Sequence, residues 1–192
     1  GPSRVDRLFR ATRIPILVAL TLTYGFFYIC RIGLSVVKKP LLDEGLFTAT
    51  ELGQIGACLL WGYAIGKLVN GFVADRVNVS RFIPLGLVLS AIANLAMGEN
   101  SLFVVACLLW ALNGLCQGVG ATASVVSITQ WFAPSERGRV YGVWSAAHSI
   151  GEGLTFFGTS ALVAAMGWRA GLLAPGGVCV VVAFTAAMVL KD

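Results

Sequence analysis

Apolar residues fill this chain in long runs broken at short intervals, and the spacing of the breaks predicts six helices. A helix needs about 20 predominantly apolar residues to cross the hydrocarbon core of a bilayer. Runs of that kind extend from Ile14 to Val37, Glu51 to Val73, Phe82 to Gly98, Leu102 to Gln130, Gly138 to Met166 and Arg169 to Leu190. The breaks carry charge or turn signals: Lys38-Lys39-Pro40, Asp75-Arg76, Gly98-Glu99-Asn100, Pro134-Ser135-Glu136-Arg137 and Gly167-Trp168-Arg169. The connections are too short to hold a further domain. Residues 14–192 therefore read as one all-α transmembrane bundle, preceded by a basic leader over residues 1–13. The opening Gly1-Pro2-Ser3 reads as a protease-cleavage scar, and the chain is expected to be part of a longer one.

Composition agrees with the pattern. The chain is 57% hydrophobic and 12% charged, with a mean hydropathy of +0.84, whereas a soluble domain carries roughly a quarter charged residues. The net charge of +5 does not point to nucleic acid, because the basic residues are spread among short connections and form no patch with exposed aromatics. Nine of the fourteen Lys and Arg residues fall on one side of the predicted bundle: Arg4, Arg7, Arg10, Arg13, Arg76, Arg81, Arg137, Arg139 and Lys191. Cytoplasmic segments hold the basic excess, so both termini are expected in the cytoplasm. The five cysteines all lie within apolar runs, with no C-x-x-C pair, and read as small buried hydrophobes. No nucleophile–base pair, phosphate loop or metal cluster is legible, so neither an enzyme nor a cofactor is expected. The 23 glycines cluster within spans, as in Gly114, Gly118 and Gly120, where small residues allow helices to approach closely in lipid.

Ionisable groups at bilayer depth cost several kcal/mol, so each needs a partner, a cavity or a function. Tyr24, Tyr28 and Arg31 follow i, i+4, i+7 spacing and share one face of the first span. Such a face suits an oxyanion, since a guanidinium offers a planar fork of donors and phenols add hydrogen bonds without a second charge. Arg31 could equally pair with an internal carboxylate, with Glu152 the candidate counter-ion, and hold the bundle together. Lys67, near Tyr63 in the second span, either faces a cavity or snorkels its ammonium to the interface. His148 and Glu152 are i, i+4 neighbours in the fifth span, a pairing that suits proton coupling or sensing of phosphate ionisation. The alternative is a structural histidine. Asn113 and Gln117 in the fourth span read either as interhelical hydrogen bonds or as ligands.

Two connections resemble the signatures of the major facilitator superfamily: Gly71-Phe72-Val73-Ala74-Asp75-Arg76 with Arg81 after the second span, and Glu136-Arg137-Gly138-Arg139 after the fourth. That resemblance implies a cytoplasmic charge relay of Asp75, Arg76, Arg81, Glu136, Arg137 and Arg139. Within the superfamily the chain is similar to the organophosphate:phosphate antiporters, which include glycerol-3-phosphate and hexose-phosphate exchangers and a glucose-6-phosphate sensor. The likeness rests on Tyr24, Tyr28, Arg31, Tyr63, Lys67, Asn78, Gln117-Gly118, Trp144 and Ala147-His148, with a sensor-like turn at Gly167-Trp168-Arg169. It implies that Arg31, Lys67 and His148 meet phosphate in the bacterial inner membrane. It also implies that these six spans, two inverted three-helix repeats, are one half of a twelve-span fold. Ile32 and Glu152 depart from the family pattern, which usually has a basic residue and a glycine there. The expected partner is then a second six-helix half, supplied by a longer chain or by a homodimer. Three readings follow: exchange of a phosphorylated small molecule for phosphate, a transporter-like receptor for an external sugar phosphate, or a structural module that has lost transport.

Overall fold

The structure, a computed structural model, describes residues 4–190, with the side chains of residues 4–10, 147 and 148 outside that description. The elements are α1 (Arg4–Asp43), α2 (Ala49–Ala74), α3 (Val79–Glu99), α4 (Phe103–Trp131), α5 (Pro134–Met166) and α6 (Ala170–Val189). All six predicted spans lie on these helices. Five are long and apolar enough to cross a membrane by length and composition. The sixth, α5, is 33 residues long, and Glu136, Arg137, Arg139 and Glu152 lower its hydropathy.

α1, α2, α3 and α5 run past their apolar windows into polar turns, whereas α4 and α6 nearly coincide with theirs. The first does not stop at Lys38-Lys39-Pro40 but continues to Asp43. There Gly45 takes φ +68, and Leu46 N–H donates to Leu41 O while Gly45 N–H donates to Leu42 O. This is a Schellman ending, and it needs the left-handed residue that glycine supplies without strain. Thr48 and Glu51 form a reciprocal capping box at the start of α2. Asn78 accepts from Arg81 N–H to open α3, and Pro134 occupies the first turn of α5.

Glycines set the helix spacing. A Cβ on Gly62 would strike Ala111 O, and one on Gly114 would strike Leu59 O; on Gly66 it would lie 2.6 Å from Leu115 O. α2 and α4 therefore pack backbone to backbone along Gly62, Gly66, Gly114 and Gly118. Gly151 of α5 meets Gly25 of α1 in the same way, at 2.7 Å from its carbonyl oxygen.

The apolar core falls into two clusters. One gathers Ile16, Leu20, Phe27, Ile83, Ala123 and Phe132 toward the end of the bundle that carries both termini. The other gathers Leu34, Val37, Leu41, Leu52, Trp110 and Trp168 toward the far end. A polar layer of Ser90, Asn94, Asn113 and Gln117 lies between them, fully buried. Ser90 Oγ donates to Asn113 Oδ1, and Gln117 Nε2 donates to Ser90 Oγ at 2.9 Å. Two carbonyls of α1 are held from this layer: Cys30 O accepts from Asn94 Nδ2 at 2.9 Å and Asn113 Nδ2 at 3.0 Å, and Phe27 O accepts from Gln117 Nε2 at 2.8 Å. Asn113 and Gln117 are thus interhelical hydrogen-bond partners, which settles the choice their spacing left open.

At the terminal end, Arg13 Nη1 pairs with Glu136 Oε2 at 3.0 Å, tying α1 to α5. At the far end, Trp168 Nε1 donates to Glu44 Oε2 at 2.8 Å, tying the α5–α6 turn to the α1–α2 turn.

Candidate functional site

The polar layer fixes the stretch of α1 that carries Tyr24, Tyr28 and Arg31, because side chains of α3 and α4 grip Phe27 O and Cys30 O within it. The phenols of Tyr24 and Tyr28 lie 3.5 Å apart, with their rings edge to face at 5.3 Å. Tyr24 also stacks on Trp144 of α5, centroid to centroid 4.3 Å. Three aromatic rings from two helices thereby form one wall.

Arg31 and Lys67 meet on the ring of Tyr63. The guanidinium carbon of Arg31 lies 4.3 Å from the Tyr63 centroid and 5.6 Å from that of Tyr28, and Lys67 Nζ lies 4.7 Å from the Tyr63 centroid. A ring face attracts cations and holds them without neutralising them. The ion pairs among the described residues are Arg13–Glu136 and Lys39–Asp43. Arg31 is therefore steadied by aromatic rings and not by a carboxylate of the described set, and an Arg31–Glu152 pair is absent from it. Glu152 is half-buried on α5 and has interactions of its own.

A cavity of about 740 Å³ opens on the terminal side of Arg31, lined by Tyr24, Tyr28, Tyr63, Lys67, Trp144 and Ser145 among others. Asp75 stands at its terminal end. α1, α2, α4 and α5 contribute its walls, while α3 and α6 contribute none. The Nε1 donor of Trp144 is buried and finds no partner among the described residues, so this wall holds an unspent donor. The arrangement is cationic and aromatic, with hydroxyls at hand, and can surround an oxyanion.

The relay residues are placed as follows. Glu136 is engaged by Arg13, a leader residue outside the predicted set. Arg76 Nη1 donates to Phe72 O at 2.8 Å in the last turn of α2. Arg137 donates to Thr129 O at 2.8 Å and Phe132 O at 3.0 Å, closing the end of α4. Arg81 contributes its backbone N–H to the Asn78 cap, and Arg139 is exposed in the first turns of α5. The backbone of His148 lies in α5, but its side chain is outside the described residues.

Sequence reasoning missed Tyr63 and Trp144 as members of the site. The signal was present in the spacing: Tyr63 and Lys67 repeat on α2 the i, i+4 step of Tyr24 and Tyr28 on α1. What spacing cannot give is that the two faces confront each other.

A bundle with these faces and a polar site at the boundary of two apolar clusters has the form of half a membrane transporter, and residues 15–192 match the family model described as Major Facilitator Superfamily. The chain belongs to that superfamily. A "Probable hexose phosphate transport protein" of Chlamydia trachomatis serovar D is 32% identical over 191 residues, covering 100% of this chain and 42% of the relative. The "Membrane sensor protein UhpC" of Salmonella typhimurium strain LT2 is 30% identical over 188 residues, covering 98% and 42%. A "Glycerol-3-phosphate transporter" of Bacillus subtilis strain 168 is 28% identical over 195 residues, covering 99% and 44%. The chain thus spans less than half the length of the curated relatives it matches. Among solved structures, a bacterial homologue of the human lysosomal transporter Spinster, inward-facing and unoccupied, superposes with a TM-score of 0.81 at 20% identity, covering 94% of this chain and 43% of that one. That likeness concerns the fold.

Proposed function

We propose that this chain is the N-terminal half of an exchanger that carries a phosphorylated small molecule or inorganic phosphate across a bacterial inner membrane, with both termini cytoplasmic. The observation that carries the reading is the convergence of Arg31 and Lys67 on Tyr63 beside the 740 Å³ cavity. Two cations without a carboxylate partner among the described residues are costly at membrane depth, and a bound dianion offsets that cost. The phosphate group would take the Arg31 fork, with Tyr24 and Tyr28 hydroxyls as neutral donors and His148 as a further contact.

The remaining wall would come from a second six-helix half, in a longer chain or a second copy. The relatives named as phosphate-ester transporters support this, as does their length. Binding would drive the closure of two halves only by the difference in affinity between states. Asp75, Arg76, Arg81, Glu136, Arg137 and Arg139 would latch the cytoplasmic ends of the halves, where exposed charge pairs are cheap to make and break.

The test is counterflow of labelled phosphate in proteoliposomes loaded with phosphate. Exchange supports the reading. Saturable phosphate binding with no exchange would indicate a receptor, the activity named for UhpC. The sensor-like turn at Trp168 is the sequence feature behind that second reading, and its indole binds Glu44.

A further inference from the structure

The face of α1 that carries the site does not end at Arg31. Ser35 and Lys38 continue the spacing begun at Tyr24 and Tyr28, so positions 24, 28, 31, 35 and 38 form one stripe along the helix. A second cavity, of about 410 Å³, opens on the far side of Arg31. Arg31, Ser35 and Lys38 line one wall, and Gly53, Gly56 and Ala57 of α2 line the other. The outer part of the α2 wall is bare at Gly53 and Gly56, where a Cβ would meet nothing within 4 Å, and Leu59, Leu60 and Trp110 give the recess an apolar floor. No carboxylate lines this space.

Adjacent lysines are treated differently here. Lys39 is exposed and pairs with Asp43 at 2.6 Å. Lys38 is half-buried and has no ion pair among the described residues. A lysine near a helix end can snorkel to the interface, but Lys38 lines a recess shared with a second cation. Two turns of helix separate Arg31 from Lys38, a rise of about 10 Å, and long side chains reaching toward each other can flank one tetrahedral oxyanion across that distance. Without an anion the two charges only repel.

We propose that Arg31, Ser35 and Lys38 form an outer binding site for a dissolved phosphate-type oxyanion, a stage that precedes the inner cavity. Arg31 lines the outer cavity and Lys67 the inner one, and the two cations meet on the Tyr63 ring, so the stages adjoin there. Ser35 supplies a neutral hydroxyl, as Tyr24 and Tyr28 do within. This rests on the phosphate reading of the inner site and adds to it a second location and Lys38.

Calorimetric titration of the purified protein with inorganic phosphate tests the proposal. The parent should bind in two phases. Lys38→Gln should weaken one phase roughly tenfold, the worth of a charge-assisted hydrogen bond, and Lys38→Arg should restore it. Lys67→Gln should weaken the other phase. A single phase in the parent, or a Lys38→Gln isotherm that superimposes on the parent's, overturns the outer site. So does loss of the Lys38-dependent phase when anionic phospholipid is added to zwitterionic nanodiscs, because a headgroup phosphate is then the occupant. Two phases without exchange in proteoliposomes would sink the transport reading and leave the outer site standing, while exchange with an unaltered Lys38→Gln isotherm would do the reverse.

Discussion

At the scale of single residues, the chemistry of the site turns on how Arg31 is held. Its guanidinium lies within cation–π range of the Tyr63 and Tyr28 rings, which attract the charge without using up its donors. A lysine keeps the charge but has neither the plane that stacks nor the fork that grips two oxygens. Arg31→Lys is therefore expected to weaken phosphate binding by about tenfold, a loss on the order of 1.4 kcal/mol measurable by calorimetry. Binding equal to the parent's would reduce Arg31 to a structural cation. The two sequence readings of Glu152 also part here. Had Glu152 neutralised Arg31 in the empty bundle, Glu152→Gln would tighten phosphate binding and lower the melting temperature. Since the rings hold Arg31, Glu152→Gln is expected to leave phosphate affinity within about twofold. Tighter binding, together with a lower melting temperature, would restore the counter-ion reading.

At the scale of elements, the α2–α4 seam positions Tyr63 and Lys67 opposite α1. The seam rests on glycine at places where a methyl group has no room: Gly114 faces Leu59 O and Tyr63 N. Backbone atoms cannot yield as a flexible side chain would, so an added Cβ pushes the helices apart. Gly114→Ala is expected to destabilise the protein by about 1–3 kcal/mol, read as a fall in melting temperature in detergent. Gly177→Ala in α6 is the control, since a Cβ there would meet nothing within 4 Å. Equal melting temperatures for the two variants would mean that the seam is looser than drawn. α1 is clamped differently, by amides from the polar layer. Gln117→Leu removes the donor to Phe27 O and leaves that carbonyl to find another. A lost buried hydrogen bond costs about 1–3 kcal/mol, and phosphate affinity should fall with stability because the turn carrying Tyr28 and Arg31 loses its register.

At the scale of the molecule, α2 exposes Leu60, Trp61, Leu68 and Phe72, each more than half accessible, beside a cationic cavity. Lipid can cover apolar side chains but not Lys67 facing that cavity, and a second half can cover both. A twelve-helix unit, from a longer chain or a dimer, is thus the expected functional form, checked by mass in detergent. On the proposed orientation, with the basic ends facing the cytoplasm, a cysteine at Ser80 should resist impermeant thiol reagents in intact cells and react after permeabilisation. Prompt labelling from outside would invert the topology.

The number, order and placement of the helices were legible in the chain because bilayer thickness imposes a length, and apolar runs record it directly. The stripe Tyr24, Tyr28 and Arg31 was legible for a similar reason, since helical periodicity alone puts those residues on one face. The extension of α1 past Pro40 was not, because Schellman closure at Gly45 depends on backbone hydrogen bonds that no hydropathy window registers. Only tertiary structure decided that Asn113 and Gln117 grip α1 carbonyls, that Glu136 takes Arg13, and that Arg31 and Lys67 share Tyr63. Apart from the local step from Tyr63 to Lys67 on α2, these pairings join different helices, with Arg13 and Glu136 123 positions apart. Periodicity fixes which residues share a helix face, but which faces meet is set by the glycine seams that bring the helices together.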